Sequence, residues 1–160
     1  MRTFSVNVTG VISAPPAACY EALADYRVAH PQIVPPSYFG PLVVEKGGFG
    51  AGTRITCSLR LLGKGHPFSA DVTEPIPGRI LVETIPESGA VTTFTVVNAG
   101  TGDARVTIET QIPQARGVRG VVERFITRRY FPRIYIEELG RLASYVGGEL
   151  LGRPQVQLDG

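Results

Sequence analysis

Phe4, Val6 and Val8 alternate with Ser5, Asn7 and Thr9 at the start of the chain. A period of two predicts a strand with one buried face. The alternation stops at Ser13-Ala14-Pro15-Pro16, where a capping-type residue and early prolines announce a helix. That helix covers Ala17 to Ala24 and brings Cys19, Leu23 and Tyr26 to one side. A second short helix or turn follows over positions 27–34, bracketed by Pro31, Pro35 and Pro36.

Period two then returns repeatedly. Pro41 to Lys46 reads as extended chain, and Thr53 to Leu61 alternates polar with apolar. Pro67 to Glu74 sets Phe68, Ala70 and Val72 opposite Ser69, Asp71 and Thr73. After the turn Pro75-Ile76-Pro77-Gly78, Arg79 to Ile85 is read with Ile80 and Val82 inward and Glu83 toward water. Val91 to Asn98 and Arg105 to Gln111 complete a set of about seven strands, mostly antiparallel because their connections are short. Alternation predicts that Phe68, Val82, Phe94, Val96, Val106 and Ile108 face inward. Ser69, Asp71, Thr95 and Thr107 are then expected in solvent.

Positions 120–147 read as one long helix carrying Pro132. At about 100° per residue, Phe125, Pro132, Ile136, Leu139, Ala143 and Val146 fall on one stripe, the expected sheet-facing side. A single sheet cannot hide its apolar face unaided, and this helix is the one element large enough to cover it. A curved sheet closed by such a helix leaves a space between them, the natural place for a ligand.

The stretch Lys46-Gly47-Gly48-Phe49-Gly50-Ala51-Gly52-Thr53 invites comparison with phosphate-binding loops. The spacing fails, because the third glycine of a G-x-G-x-x-G pattern would fall on Thr53, and no G-K-[ST] is present. A strand follows it where a helix N-terminus would be needed. The glycines are therefore read as a bend between two strands.

This order of elements resembles the helix-grip, or START-like, superfamily, and most of all its polyketide cyclase/dehydrase and lipid-transport group. Ile12-Ser13-Ala14-Pro15 leading into Tyr20-Glu21-Ala22-Leu23-Ala24-Asp25 carries the resemblance. So do Pro35, Gly50-Ala51-Gly52-Thr53-Arg54 and the ending Glu138-Leu139-Gly140-Arg141-Leu142. The resemblance implies an α+β helix-grip fold. In it a curved antiparallel sheet wraps a long C-terminal helix, with two short helices after the first strand. It covers about residues 3–147, and one domain is expected over residues 1–150, with 151–160 as a C-terminal tail. It also implies a deep cavity for a hydrophobic small molecule, with the glycine bend on its rim, and no shared catalytic motif.

Composition narrows the partners. A formal charge of +2 over 160 residues does not argue for nucleic acid. Fourteen of the sixteen basic residues are Arg, a skew attributed to genome composition. Nothing resembles a signal-peptide core or a membrane span, so a cytoplasmic protein without stable membrane insertion is expected. Cys19 and Cys57 read as free buried thiols. Two histidines, His30 and His66, and two scattered cysteines do not make a metal site, and no cofactor is expected.

Candidate chemistry is sparse. His66 shares strand parity with Phe68 and is a candidate general acid or base, although a hairpin-end histidine facing water is the preferred reading. Tyr20, Tyr26 and Tyr38 stand near the short helices, where they line an entrance or close the sheet edge. No G-x-S-x-G elbow occurs. Between Arg116 and Arg133 lie six arginines against Glu123 alone. Arg128 and Arg129 straddle the apolar stripe, where they either snorkel at an open end or meet an acid of the protein or ligand.

The sequence thus points to binding of a hydrophobic or amphipathic small molecule of lipid, polyketide or isoprenoid type, for transport, sensing or storage. The expected contacts are Phe68, Val82, Phe94, Ile108, Phe125, Ile136, His66 and Tyr38, with Arg128 and Arg129 toward an anionic head. The alternative is a cofactor-independent polyketide aromatase/cyclase or dehydratase using the same cavity. A third reading presents Tyr130, Ile134 and Tyr145 to a protein partner, and a homodimer is left open.

Overall fold

The computed structural model describes residues 2–160. Strand β1 (Thr3–Ile12) leads into α1 (Pro16–Ala24) and the single turn α2 (His30–Ile33). Six strands follow: β2 (Val43–Lys46), β3 (Arg54–Leu61), β4 (Lys64–Ile76), β5 (Ile80–Ile85), β6 (Ala90–Asn98) and β7 (Ala104–Pro113). The long helix α3 (Gly117–Tyr145) and β8 (Gln155–Asp159) complete the chain. The eight strands form one antiparallel sheet in the order β2-β3-β4-β5-β6-β7-β1-β8, curved around α3. This is the helix-grip architecture. Residues 155–159, inside what the sequence suggested was a tail, pair with Ser5–Thr9 as an edge strand.

A buried row crosses the sheet from Val8 to Ile108, Phe94 and Leu81, each paired with the next. Phe94, Val96, Val106 and Ile108 are buried as alternation predicts, and Thr95 and Thr107 lie on the more open face. In β5 the expected parity is reversed. Ile80, Leu81 and Val82 are three apolar residues in succession, so alternation there has two solutions. Regular pairing of Glu83 with Val72 on β4 and Thr92 on β6, both buried, selects the second. Leu81, Glu83 and Ile85 point inward, and Val82 sits on the outer face. Ser69, expected in solvent, is buried because Glu87 folds over it, accepting from its N–H at 2.9 Å and its hydroxyl at 2.6 Å.

Helix α3 is also rotated from its expected setting. Its buried residues are Gly120, Thr127, Ile134, Tyr135, Glu138, Leu139, Leu142 and Ala143. Phe125 is 69% exposed, while Ile136 and Val146 are only partly covered. Ile134, expected on the outer face, is fully buried. The true inner stripe carries a threonine, a tyrosine and a glutamate, which a search for purely apolar spacing passes over.

The glycine run is a bend held from both sides. Gly48 has φ +142°, and a Cβ there would stand 2.2 Å from Nε of Arg27. At Gly50, φ +59°, it would stand 2.1 Å from Oε1 of Glu74. The bend docks on the end of α1 through Tyr26 N–H to Gly48 O (3.0 Å) and Gly50 N–H to Ala24 O (2.9 Å).

Candidate functional site

Between sheet and helix lies a cavity of about 350 Å³. Phe131, Tyr135 and Glu138 of α3 form one wall, and β3 to β7 supply the others. Alternation in the strands delivers Ile55, Cys57 and Leu59, then Glu83 and Ile85, then Thr92 and Phe94 to the same interior. His30 and Val34 close one end. Exposed His66, Pro67, Glu87 and Ser88 mark the mouth, between the β3–β4 hairpin and the β5–β6 turn.

Most of the wall is apolar, but the closed end holds titratable groups. His30 is buried and stacked on Tyr26, ring centroids 4.4 Å apart. Its Nδ1 stands 2.7 Å from the carbonyl of Leu23. A carbonyl only accepts, so Nδ1 carries the proton and Nε2 is turned to Glu83, 3.7 Å from Oε1. The same oxygen accepts the Tyr26 hydroxyl at 3.1 Å. Burial raises the Glu83 pKa above its ordinary value, against the opposing pull of His30 and the Tyr26 hydrogen bond.

Glu138 is different. It is 3% exposed, and no protein group among the described residues hydrogen-bonds its carboxyl. No buried side-chain oxygen is sealed off without a partner, so this carboxyl opens into the cavity. Burial first, and the neighbouring Glu83 charge second, push its pKa well above the usual carboxylate range. Beside it the hydroxyls of Thr92 and Thr110 bond at 2.8 Å, and Thr110 bonds Tyr135. Desolvation raises the Tyr135 pKa as well.

Of the residues the sequence singled out, Phe68, Phe94 and His66 line this cavity. Ile108 is buried on the inner face of β7 but lies outside the lining, and Val82 is on the other face of the sheet. Tyr38 packs at the core edge, and its neighbour Phe39 is the lining residue. Phe125 and Ile136 stand away from the cavity. Arg128 and Arg129 are exposed, their guanidinium carbons 5.3 Å and 5.8 Å from the ring centres of Phe4 and Tyr130. The glycine bend lies outside the lining too.

Sequence reasoning missed His30, Glu83, Thr92, Thr110, Tyr135 and Glu138. Two signals existed. Glu83 sits at even spacing between Leu81 and Ile85, and Glu138 sits four positions from both Ile134 and Leu142.

Comparison with known proteins places the chain. The solution structure of the KanY protein (ms6282) matches at 33% identity and a TM-score of 0.80, covering 92% of this chain and all of that one. The chain belongs to the START-like helix-grip superfamily. Its polyketide cyclase/dehydrase and lipid-transport group is where the likeness lies. Another superfamily structure, a START protein from Mycobacterium smegmatis, matches at 14% identity and a TM-score of 0.69, over 90% of this chain and 97% of that one. The Zhui aromatase/cyclase from Streptomyces sp. R1128 shares the fold at 16% identity and a TM-score of 0.72, over 91% and 94%. No protein-family model matches the chain, and no curated protein matches it. Among the described residues no helix is long and apolar enough to cross a membrane.

Proposed function

We propose that the protein binds a hydrophobic or amphipathic small molecule, of lipid, polyketide or isoprenoid type, in this cavity. Transport, sensing or storage would follow from such binding, in the cytoplasm and without a cofactor. The observation that carries the reading is the cavity of about 350 Å³ walled by Ile55, Leu59, Phe68, Phe94 and Phe131. Burial of apolar ligand surface there is favourable at roughly 25 cal/mol per Å² before the losses of association are counted. Native mass spectrometry of freshly purified protein tests it. A co-purified molecule that leaves on organic extraction supports the reading, and an extracted protein that fails to bind a hydrophobic dye contradicts it.

A second reading, a polyketide aromatase/cyclase or dehydratase, is favoured by one observation: His30, Glu83 and Glu138 converge at the closed end. Two carboxyls in unlike surroundings, one beside a histidine and one unpartnered, suit opposite proton-transfer roles. The apolar walls would orient the chain, Glu138 would give a proton, and Glu83 with His30 would take one. Turnover of an aromatisable polyketone, lost in Glu83→Gln, distinguishes this reading from simple binding.

A further inference from the structure

Three carboxyls, Glu83, Glu87 and Glu138, line the cavity beside His30, His66, Tyr135 and Cys57, and among the described residues no lysine or arginine does. Glu87 is at the mouth, held by Ser69. Glu83 has Tyr26 and His30. Glu138 alone is buried, opens inward and has no protein partner.

Resting on the reading that the cavity holds an apolar small molecule, we infer that Glu138 donates a hydrogen bond to a neutral carbonyl oxygen of the ligand, so that the cavity selects uncharged carbonyl compounds over carboxylates. A buried carboxyl with no cation beside it keeps its proton, and in that form it is a donor. Tyr135, Thr110 and Thr92 bond one another, and the Tyr26 hydroxyl goes to Glu83. The two bonds of that trio use two of its three hydroxyl protons, so one hydroxyl and the Glu138 carboxyl are the donors left at this end. Glu138 is the one that makes no protein hydrogen bond among the described residues.

A ligand carboxylate reaching this end would meet Glu83 and Glu138, and the basic side chain there, His30, already faces Glu83 through Nε2, so its desolvation would go unrepaid. The arginines that suit anionic heads stand elsewhere, with Arg128 and Arg129 exposed over aromatic rings. A ligand ammonium would either compete with Tyr26 and His30 for Glu83 or require Glu138 to ionise beside it. A ketone requires neither change. Its oxygen meets the acid, while its alkyl part lies along Phe94, Ile55 and Phe131.

Displacement of a hydrophobic fluorescent dye by methyl octyl ketone, decane, decanoate and decylamine, at one neutral pH, tests the inference. The ketone is expected to bind about tenfold more tightly than the carboxylate or the amine. Glu138→Leu is expected to weaken the ketone about tenfold and leave decane unchanged, whereas Glu138→Gln, whose amide still donates, keeps it within about threefold. Decanoate or decylamine binding as tightly as the ketone overturns the inference. So does a Glu138→Leu protein that binds decane and ketone as the wild type does. If decane itself fails to displace the dye, the cavity reading falls first and this inference with it.

Discussion

His30 Nε2 stands 3.7 Å from Glu83 Oε1, on the same oxygen that accepts the Tyr26 hydroxyl. Three elements, the turn after α1, α2 and β5, thus meet in one polar contact at the closed end of the cavity. Tyr26→Phe removes a buried hydrogen bond and leaves the Glu83 oxygen with one donor fewer, a loss of about 1–3 kcal/mol. The loss also takes away a pull that lowers the Glu83 pKa. The variant should be less stable in denaturant titration, and its Glu83 carboxyl should titrate at higher pH by carbon NMR. An unchanged Glu83 titration would show that this hydroxyl does not hold the carboxylate.

Glu138 sets a pH dependence of stability. Its folded pKa lies well above the ordinary 4.5, so unfolding between those values releases a proton. Stability from this group is fully present below pH 4.5 and is lost as pH rises through the folded value. Glu138→Gln lacks that loss. Denaturant midpoints measured from pH 4.5 upward should move in the variant's favour as pH rises, and a difference that stays flat would contradict the shift.

Ala90 borders the cavity from the start of β6 and is 7% exposed. Ala90→Phe places a ring in the space with little to replace in the sheet. Overpacking of this kind typically costs about 1–3 kcal/mol. Dye affinity should fall at least about tenfold while the far-ultraviolet spectrum stays native. Undiminished dye binding would move the binding site elsewhere.

Arg128 and Arg129 are exposed and outside the lining. Arg128→Ala and Arg129→Ala should therefore change dye and ketone affinity by less than about twofold, since substitutions away from a site act weakly. A tenfold loss in either variant would restore the sequence-based placement of a ligand head beside them.

Much of the fold was legible because period two in β1, β6 and β7 is clean. Phe4, Val6 and Val8, then Phe94 and Val96, then Val106 and Ile108, each state their inner face. β5 was not, because three consecutive apolar residues admit both faces and the pairing with Val72 and Thr92 on the neighbouring strands decides. The site was least legible for a physical reason. Spacing rules reward apolar residues at inner positions, whereas this fold places Glu83 and Glu138 at those positions. His30 was undervalued because its burial comes from stacking on Tyr26 and edge contact with Phe94, both set by tertiary packing.

The central claim is that a small apolar molecule occupies the space between sheet and α3. Titration of isotope-labelled protein with methyl octyl ketone, followed by backbone and methyl NMR, tests it most directly. The account predicts saturable shifts at Ile55, Leu59, Phe94, Thr110, Phe131 and Glu138, with Phe125, Arg128 and Val82 unmoved. Shifts confined to the exposed Phe125 region, or none that saturate, would contradict it.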